Sequence, residues 1–153
     1  MVHGYLINIF LYVYDLLITG SSKKDISSLK DAMNHAFCMT NLGLLSQLLG
    51  LEIAQSKHGI KVYQYKYALY LLNKFSMKYC KKIKTPFFLG VKLEEACSSP
   101  LLNNTIYRKL IGCLIYITHT QPDIYYAVNV SSRHVDQPHE IHWKEAKRIL
   151  NFV

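Results

Sequence analysis

The stretch FLYVYDLLITG, residues 10–20, places a single acidic side chain, Asp15, inside an otherwise apolar and aromatic run. Residues 6–13 are rich in branched and aromatic side chains, which favour a buried strand. A second short apolar piece, residues 16–19, ends at a Gly-Ser-Ser sequence. The two pieces predict a β-hairpin with Tyr14 and Asp15 between its strands, although no Asn-Gly or Asp-Gly pair marks the turn.

The next residues alternate between helical and strand patterns. Ser22, with Asp25 three residues later, is a weak capping box that predicts a helix start. Four apolar residues then follow at helical spacing and predict an amphipathic helix of about four turns: Ile26, Leu29, Met33 and Phe37. Apolar residues 48–54 and the alternating IKVYQY of residues 60–65 predict a second hairpin, turning at Lys57-His58-Gly59. Residues 67–77 predict a further helix.

The second half of the chain has few strand signals. Residues 83–105 are rich in Pro, Gly, Ser and Asn and predict a linker. Three helices are predicted after it: residues 107–119, residues 123–133 behind Pro122, and a last one with Pro138 at its first helical position. Strands therefore cluster in the first 65 residues and helices follow, which indicates an α+β fold with a helical tail.

The composition narrows the class of protein. The 153 residues, half of them apolar, suffice for one domain with a hydrophobic core. The four cysteines, at 38, 80, 97 and 113, form no close pair, so we expect free thiols in a reducing, intracellular compartment. Residues 5–18 are apolar but shorter than the roughly 20 residues of a membrane-spanning helix. No membrane partner is expected, although a small membrane-associated protein anchored by residues 5–18 is an alternative.

Positive charge is concentrated in one segment. The net charge is +8, and residues 53–93 contain no Asp or Glu but nine lysines, at 57, 61, 66, 74, 78, 81, 82, 84 and 92. Tyrosines 63, 65, 67, 70 and 79 are interleaved with them. Lysines neutralise phosphates, and tyrosines can lie against sugars or unstacked bases. The segment predicts nucleic-acid binding through Lys57, Lys61, Lys66, Lys74, Lys78, Lys81, Lys82 and Lys84; a solvated face with core tyrosines is the alternative.

Three histidines raise the question of a zinc site. His134, His139 and His142 have the spacing H-x4-H-x2-H, which would place the last two on one helix face. No cysteine or carboxylate completes a recognised set of zinc ligands. Exposed histidines at the start of a helix are the more ordinary interpretation.

Several blocks, in order and spacing, resemble the reverse transcriptases of copia-type LTR retrotransposons. LYVYDLLITGSS (11–22) resembles the Y-V-D-D-x-L-I-x-G-S hairpin, and NLGLLSQLLGLEI (41–53) resembles DLGxLxxFLGLEI. GIKVYQYKYALYLLNKFSM (59–77) is similar to GIxLSQxKYxxxLLxKFxM, and KTPFFLGVKL (84–93) to STPxxxGxKL. YRKLIGCLIYITHTQPDIYYAVNVSSR (107–133) is similar to YRxLxGxLxYLTxTRPDIxxAVxxxSR, and HWKEAKRIL (142–150) resembles the stretch leading into a ribonuclease H domain.

The resemblance implies RNA-directed DNA polymerisation with an RNA template, a DNA primer and Mg²⁺ ions held by carboxylates. In this motif Tyr12 matches the family's Tyr, Asp15 matches the second Asp, and Tyr14 stands in place of the first. A phenol is neutral at pH 7 and cannot replace a bridging carboxylate. We therefore expect Asp15 to be the remaining metal ligand and the chain to be inactive alone. A non-catalytic nucleic-acid-binding remnant is the alternative.

The resemblance also implies a domain plan. Residues 1–56 correspond to the C-terminal part of the palm, 57–90 to a thumb-like basic segment, 91–105 to a linker and 106–153 to a helical connection. The upstream polymerase half and the ribonuclease H domain are expected to be missing, and Gln121 replaces the family's Arg before Pro-Asp. These departures indicate a degenerate, truncated member of the family.

Overall fold

The computed structural model describes residues 6–87 and 100–153, which belong to two compact units. The first unit ends at Ser46 and the second begins at Gln47. Within the described residues the strands precede the last four helices, so the α+β prediction is confirmed.

The first unit consists of a hairpin and one helix. Strand β1 (Ile7–Tyr12) pairs antiparallel with β2 (Asp15–Gly20), as predicted. Helix α1 (Lys23–Ala36) begins after Ser22, whose side chain accepts a hydrogen bond from the Asp25 amide at 3.3 Å. Phe37, predicted as part of the helix, is instead an extended residue at its C-terminal end. No residue of α1 is buried, so this unit has little core of its own.

The second unit begins with a three-stranded antiparallel sheet. Its strands β3 (Gln47–Leu48), β4 (Leu51–Ser56) and β5 (Gly59–Tyr63) lie in chain order. The β4–β5 hairpin is confirmed, with Lys57 and His58 as its two-residue loop. The sequence predicts residues 48–54 as one piece, whereas a turn at residues 49–50 divides it in two.

Helix α2 (Tyr65–Lys74) begins two residues before residue 67, where the sequence predicts its start. It ends three residues before residue 77, where the sequence predicts its end. Ser76 adopts a left-handed conformation with a φ of 56°. The Met77 amide donates to the Leu72 carbonyl at 2.7 Å, and the Ser76 amide donates to Asn73 at 3.1 Å. This is the hydrogen-bond pattern of a Schellman motif, which ends helices and usually has glycine where Ser76 stands. The apolar periodicity continues to Met77 because that side chain is buried beyond the helix end.

Three further helices complete the unit: α3 (Asn104–Ile117), α4 (Tyr125–Ser132) and α5 (Glu140–Phe152). A short 3-10 turn, Pro122–Ile124, precedes α4. Asn103 caps α3 by accepting a hydrogen bond from the Thr105 amide at 2.9 Å. The core lies between these helices and α2, and its buried residues are Leu71, Met77, Tyr107, Leu110, Ile111, Leu114, Ile117, Ile124, Ala127, Val128, Ala146, Ile149 and Leu150.

The boundaries around the predicted linker differ from the structure. Leu101 forms a β-bridge with His139, and the Leu102 amide donates to the Pro138 carbonyl at 2.7 Å. Pro138 is buried in this pairing and α5 begins at Glu140, so its prediction as the first helical residue is wrong. Helix α3 begins three residues before its predicted start, inside the segment predicted as linker. Residues 88–99 of that segment lie outside the described residues.

Candidate functional site

The β1–β2 turn carries the three residues predicted as a catalytic motif. Tyr12 and Asp15 form the last pair of the ladder, and Val13 and Tyr14 make a two-residue turn between them. Val13 has a φ of 52°, which a β-branched residue rarely adopts. A positive φ at the first of two turn residues matches a type II′ turn, whose twist suits a hairpin. The turn is therefore tight but strained, because Val13 stands where glycine is usual.

The hairpin presents Tyr12 and Asp15 on one face. Cross-strand partners share a face and successive residues alternate, so Phe10 and Leu17 lie on the same side. Both Tyr12 and Asp15 are exposed, and the turn residue Tyr14 is 95% exposed. A phenol and a carboxylate thus lie side by side, open to solvent.

The donor set at this hairpin does not fit a pair of Mg²⁺ ions. Asp15 is the one carboxylate in β1, β2 and their turn, and the phenols beside it are poor ligands for a hard cation. Across residues 6–87 and 100–153, no three His, Cys, Asp or Glu side chains are grouped so that they could hold a metal ion. The role of Asp15 as a metal ligand stays a prediction.

The eight lysines predicted to bind nucleic acid all lie in the second unit and are all exposed. Lys57 is in the β4–β5 turn, and Lys61 is in β5. Two more lie on α2, and the remaining four follow it: Lys66, Lys74, Lys78, Lys81, Lys82 and Lys84. Lys92 lies outside the described residues. The ammonium groups are accessible, and their contact with nucleic acid stays a prediction.

One face of α2 combines basic and aromatic side chains. Lys66, Tyr70 and Lys74 are spaced by four residues and so lie along one face of the helix. The Lys74 Nζ lies 5.4 Å from the centre of the Tyr70 ring, within range of a cation–π interaction. Leu71, the residue after Tyr70, is completely buried. The helix therefore packs through one face and leaves Lys66, Tyr70 and Lys74 exposed to solvent.

At the N-terminus of α2, an acidic side chain from the sheet accepts a hydrogen bond from a free backbone amide. A carboxylate oxygen of Glu52, in β4, accepts a hydrogen bond from the Lys66 amide at 2.8 Å. A carboxylate at this end of a helix is favourable because the free amides and the helix dipole are positive there. Glu52 thereby fixes the start of α2 against the sheet.

The tyrosines of the basic segment differ in how far they are exposed to solvent. Tyr65, Tyr70 and Tyr79 are exposed, in keeping with the predicted contact surface. Tyr67 packs against the core, where burial raises the pKa of its phenol and a hydrogen bond with Cys113 raises it further. The core alternative is therefore correct for Tyr67. Outside the segment, burial raises the pKa of Tyr107, whose hydroxyl donates a hydrogen bond to the Ser131 carbonyl at 2.8 Å.

The β3–β4 turn is fixed by a residue that sequence reasoning missed. Leu49 and Gly50 both have a positive φ, of 51° and 80°, which is the pattern of a type I′ turn. The Tyr116 hydroxyl, from α3, donates to the Leu49 carbonyl at 2.6 Å. A Cβ atom at Gly50 would lie 2.5 Å from that hydroxyl. The glycine between apolar residues was the available signal for this turn.

Gln64 extends the same contact region. Its side chain is buried at the start of α2, donates to the Tyr116 carbonyl at 3.2 Å and accepts from the Thr120 hydroxyl at 2.8 Å. A buried amide with both ends hydrogen-bonded is an ordinary solution to the burial of a polar group. Tyr116, Gln64 and Thr120 together link the sheet, α2 and α3.

One of the three histidines, His142, is not exposed as predicted. His142 is buried, with 2% of its surface exposed, and its Nδ1 accepts a hydrogen bond from the His139 amide at 2.9 Å. Its ring stacks on that of His134, with 4.1 Å between ring centres. The interpretation of these residues as exposed helix-start histidines is wrong for His142, because its ring both caps α5 and packs inside the unit. None of the three belongs to a metal-binding group among the described residues.

No helix in the described part of the chain is long and apolar enough to cross a bilayer. From Ile7 onward, the stretch considered as an anchor forms the two strands of the first hairpin instead.

Comparison with known proteins relates the chain to a family. Residues 3–89 match the model of the reverse transcriptase (RNA-dependent DNA polymerase) family. The chain is 32% identical over 148 residues to the retrovirus-related Pol polyprotein from transposon RE2 of Arabidopsis thaliana. It is 34% identical over 154 residues to the corresponding polyprotein from transposon TNT 1-94 of Nicotiana tabacum. An uncharacterized mitochondrial protein of Arabidopsis thaliana is 35% identical over 146 residues.

The matched lengths are unequal. Each alignment covers at least 95% of this chain, but only 10% of the RE2 polyprotein, 12% of the TNT 1-94 polyprotein and 60% of the mitochondrial protein. No solved structure matches the chain.

Proposed function

Because this chain belongs to the reverse transcriptase (RNA-dependent DNA polymerase) family, we propose that it is a copia-type polymerase segment that binds nucleic acid but does not catalyse DNA synthesis alone. The observation that carries this proposal is the composition of the β1–β2 hairpin. It offers one carboxylate, Asp15, with the phenol of Tyr14 at the neighbouring motif position.

The chemistry explains why one carboxylate is insufficient. Phosphoryl transfer by two metal ions needs ligands that hold both ions in line with the attacking and leaving oxygens. Tyr14 lies at the tip of the turn and supplies no carboxylate, so it does not replace the missing metal ligand. Asp15 alone can attract a divalent cation without fixing a pair of them.

The proposal includes a domain plan carried over from the resemblance to the family. Residues 1–56 would be the C-terminal part of the palm, 57–90 a thumb-like segment facing an RNA template and DNA primer, 91–105 a linker and 106–153 the connection toward ribonuclease H. The accessible lysines and the basic face of α2 support contact of the second unit with phosphates.

Primer extension tests the catalytic part. Incorporation of labelled nucleotide on an RNA template with a DNA primer is measured, with Mg²⁺ or Mn²⁺, for the wild-type chain and for Tyr14→Asp. We expect no synthesis from either, because two adjacent carboxylates on one hairpin can attract a cation without holding two metal ions in line with a primer end. Template-dependent extension by the wild-type chain would overturn the proposal.

A fusion provides the positive control. The Tyr14→Asp chain joined to the upstream half of an intact relative should synthesise DNA, and Asp15→Asn in the same fusion should abolish this. If the fusion is equally active with Tyr14 in place, the assignment of Tyr14 to the lost ligand position is wrong.

The alternative is a non-catalytic nucleic-acid-binding protein that has lost any relation to polymerisation. The basic segment favours it as much as it favours the polymerase segment, because phosphate contact is common to both. The fusion separates the two, since a binding remnant would not complement an upstream polymerase half.

A further inference from the structure

Tyr79 stands out among the exposed aromatic residues of the second unit. It is 92% exposed, more than any other described aromatic side chain of that unit. An apolar ring left in water loses the stabilisation that burial would give, about 25 cal/mol for each Å². The ring is therefore accessible to a partner.

The loop that carries Tyr79 is fixed at both ends. On one side Met77 is buried in the core, and its carbonyl accepts a hydrogen bond from the Cys80 amide at 3.0 Å. On the other side the Lys81 carbonyl accepts a hydrogen bond from the side chain of Asn151, in α5, at 2.8 Å. An anchored loop holds its side chains in place before a partner arrives, which lowers the entropy cost of binding.

The charges around the ring define the chemistry of the partner. The Lys78 Nζ lies 5.6 Å from the centre of the Tyr79 ring, and Lys81, Lys82 and Lys84 follow within five residues. A base stacked on the open side of the ring would bring its phosphate near the Lys78 ammonium group. Paired bases inside a duplex have no free face for such stacking, whereas an unpaired base does.

We propose that the Tyr79 loop, residues 77–82, is a binding site for an unpaired nucleotide in a single-stranded stretch of RNA or DNA. The inference rests on the proposed nucleic-acid function and deepens it, because it gives the Tyr79 ring a role that contact with duplex phosphates would not require. The Tyr79 ring stacks on the base, and Lys78 with its neighbours neutralises the adjacent phosphates.

The test compares single-stranded and duplex oligonucleotides of the same sequence, labelled with fluorescein, by fluorescence anisotropy on the full chain. Tyr79→Leu removes the aromatic face, Tyr79→Phe keeps it, and Tyr125→Leu is the control because Tyr125 is also exposed but lies on α4. Tyr79→Leu should weaken single-strand binding about fivefold or more, with duplex binding unchanged. Tyr79→Phe and Tyr125→Leu should leave both affinities within about twofold of wild type, since neither removes stacking at the loop.

A second readout reports stacking directly. With 2-aminopurine in the single strand, the wild-type chain and Tyr79→Phe should change the fluorescence of the base on binding, and Tyr79→Leu should not. Salt-dependent binding that Tyr79→Leu leaves unchanged would refute the unpaired-nucleotide site while the proposed nucleic-acid function stands. Absence of binding to any oligonucleotide would refute both.

Discussion

The hydroxyl of Tyr116 and the carbonyl of Leu49 lie 2.6 Å apart, joining helix α3 to the β3–β4 turn across 67 positions of sequence. The hydrogen bond holds a turn whose second residue, Gly50, has no room for a side chain. This relationship predicts a measurable coupling between the turn and the helix.

Tyr116→Phe should lower the free energy of unfolding by about 1 kcal/mol, because it removes one hydrogen bond and keeps the ring. Gly50→Ala should be more destabilising, because it combines left-handed strain with a clash against the Tyr116 hydroxyl. In the double variant the clash is relieved. Its loss of unfolding free energy, measured by urea denaturation, should therefore be smaller than the sum of the losses in the two single variants. Gly59→Ala, with a positive φ but open space, is the control and should show no such coupling. Strict additivity for the Gly50 pair would contradict the assigned contact.

Ser76→Gly should stabilise the second unit by about 1 kcal/mol, because glycine adopts the left-handed conformation that ends α2 without a Cβ penalty. Ser76→Ala keeps the Cβ and should give no such gain, which makes it the matched control. Thermal unfolding followed by circular dichroism measures both variants. Equal midpoints for Ser76→Gly and Ser76→Ala would show that strain at Ser76 does not limit stability.

The first unit should make the isolated chain prone to aggregation. Phe10 and Leu11 are 59% and 72% exposed on a hairpin of two strands, and no residue of α1 is buried. Exposed strands with apolar side chains invite intermolecular pairing. The chain should bind a hydrophobic dye such as ANS and scatter light at low concentration.

The double variant Phe10→Lys with Leu11→Lys should reduce dye binding and light scattering. Tyr125→Lys adds positive charge at another exposed site and serves as the control for charge alone. A soluble wild-type monomer with a sharp cooperative thermal transition would show that the exposed hairpin does not cause aggregation.

Nucleic-acid binding by the basic segment should depend strongly on salt. If about four lysines meet phosphates, the slope of log affinity against log salt is roughly −3 to −4. Replacing Lys81, Lys82 and Lys84 by Gln should flatten that slope. The same three changes at Lys23, Lys24 and Lys30, in the first unit, remove equal charge and should alter it far less. Equal effects of the two triple variants would mean that net charge, rather than this segment, governs binding.

The sequence predicted those elements whose signals are local. The β1–β2 hairpin follows from its branched residues, and α1 from the Ser22 cap and its apolar spacing. The predicted end of α2 is wrong because serine gives no sequence signal for the left-handed conformation of Ser76. The apolar pattern meanwhile continues to Met77. The β3–β4 turn was missed because Leu49, rather than Asn or Asp, precedes Gly50.

Side-chain roles that depend on tertiary contacts could not be predicted from spacing. From its spacing, His142 is predicted to be an exposed residue near a helix start. In the structure it is buried, with its ring stacked on His134 and its Nδ1 accepting from the His139 amide. Among the interleaved tyrosines, the sequence could not separate the packed Tyr67 from the exposed Tyr79. The sequence marks the basic segment along the chain, but the division of its tyrosines into core and surface depends on packing.

The positive potential of residues 53–93 comes from lysines alone, since the first arginine of the chain is Arg108. An ammonium group meets phosphate as a point charge, without the paired donors of a guanidinium. Acetylation removes a lysine's charge entirely, whereas an arginine cannot be discharged this way. A surface of this composition would bind phosphate backbones with little discrimination between them. Acetylation of its lysines would weaken that binding by one charge at each modified residue.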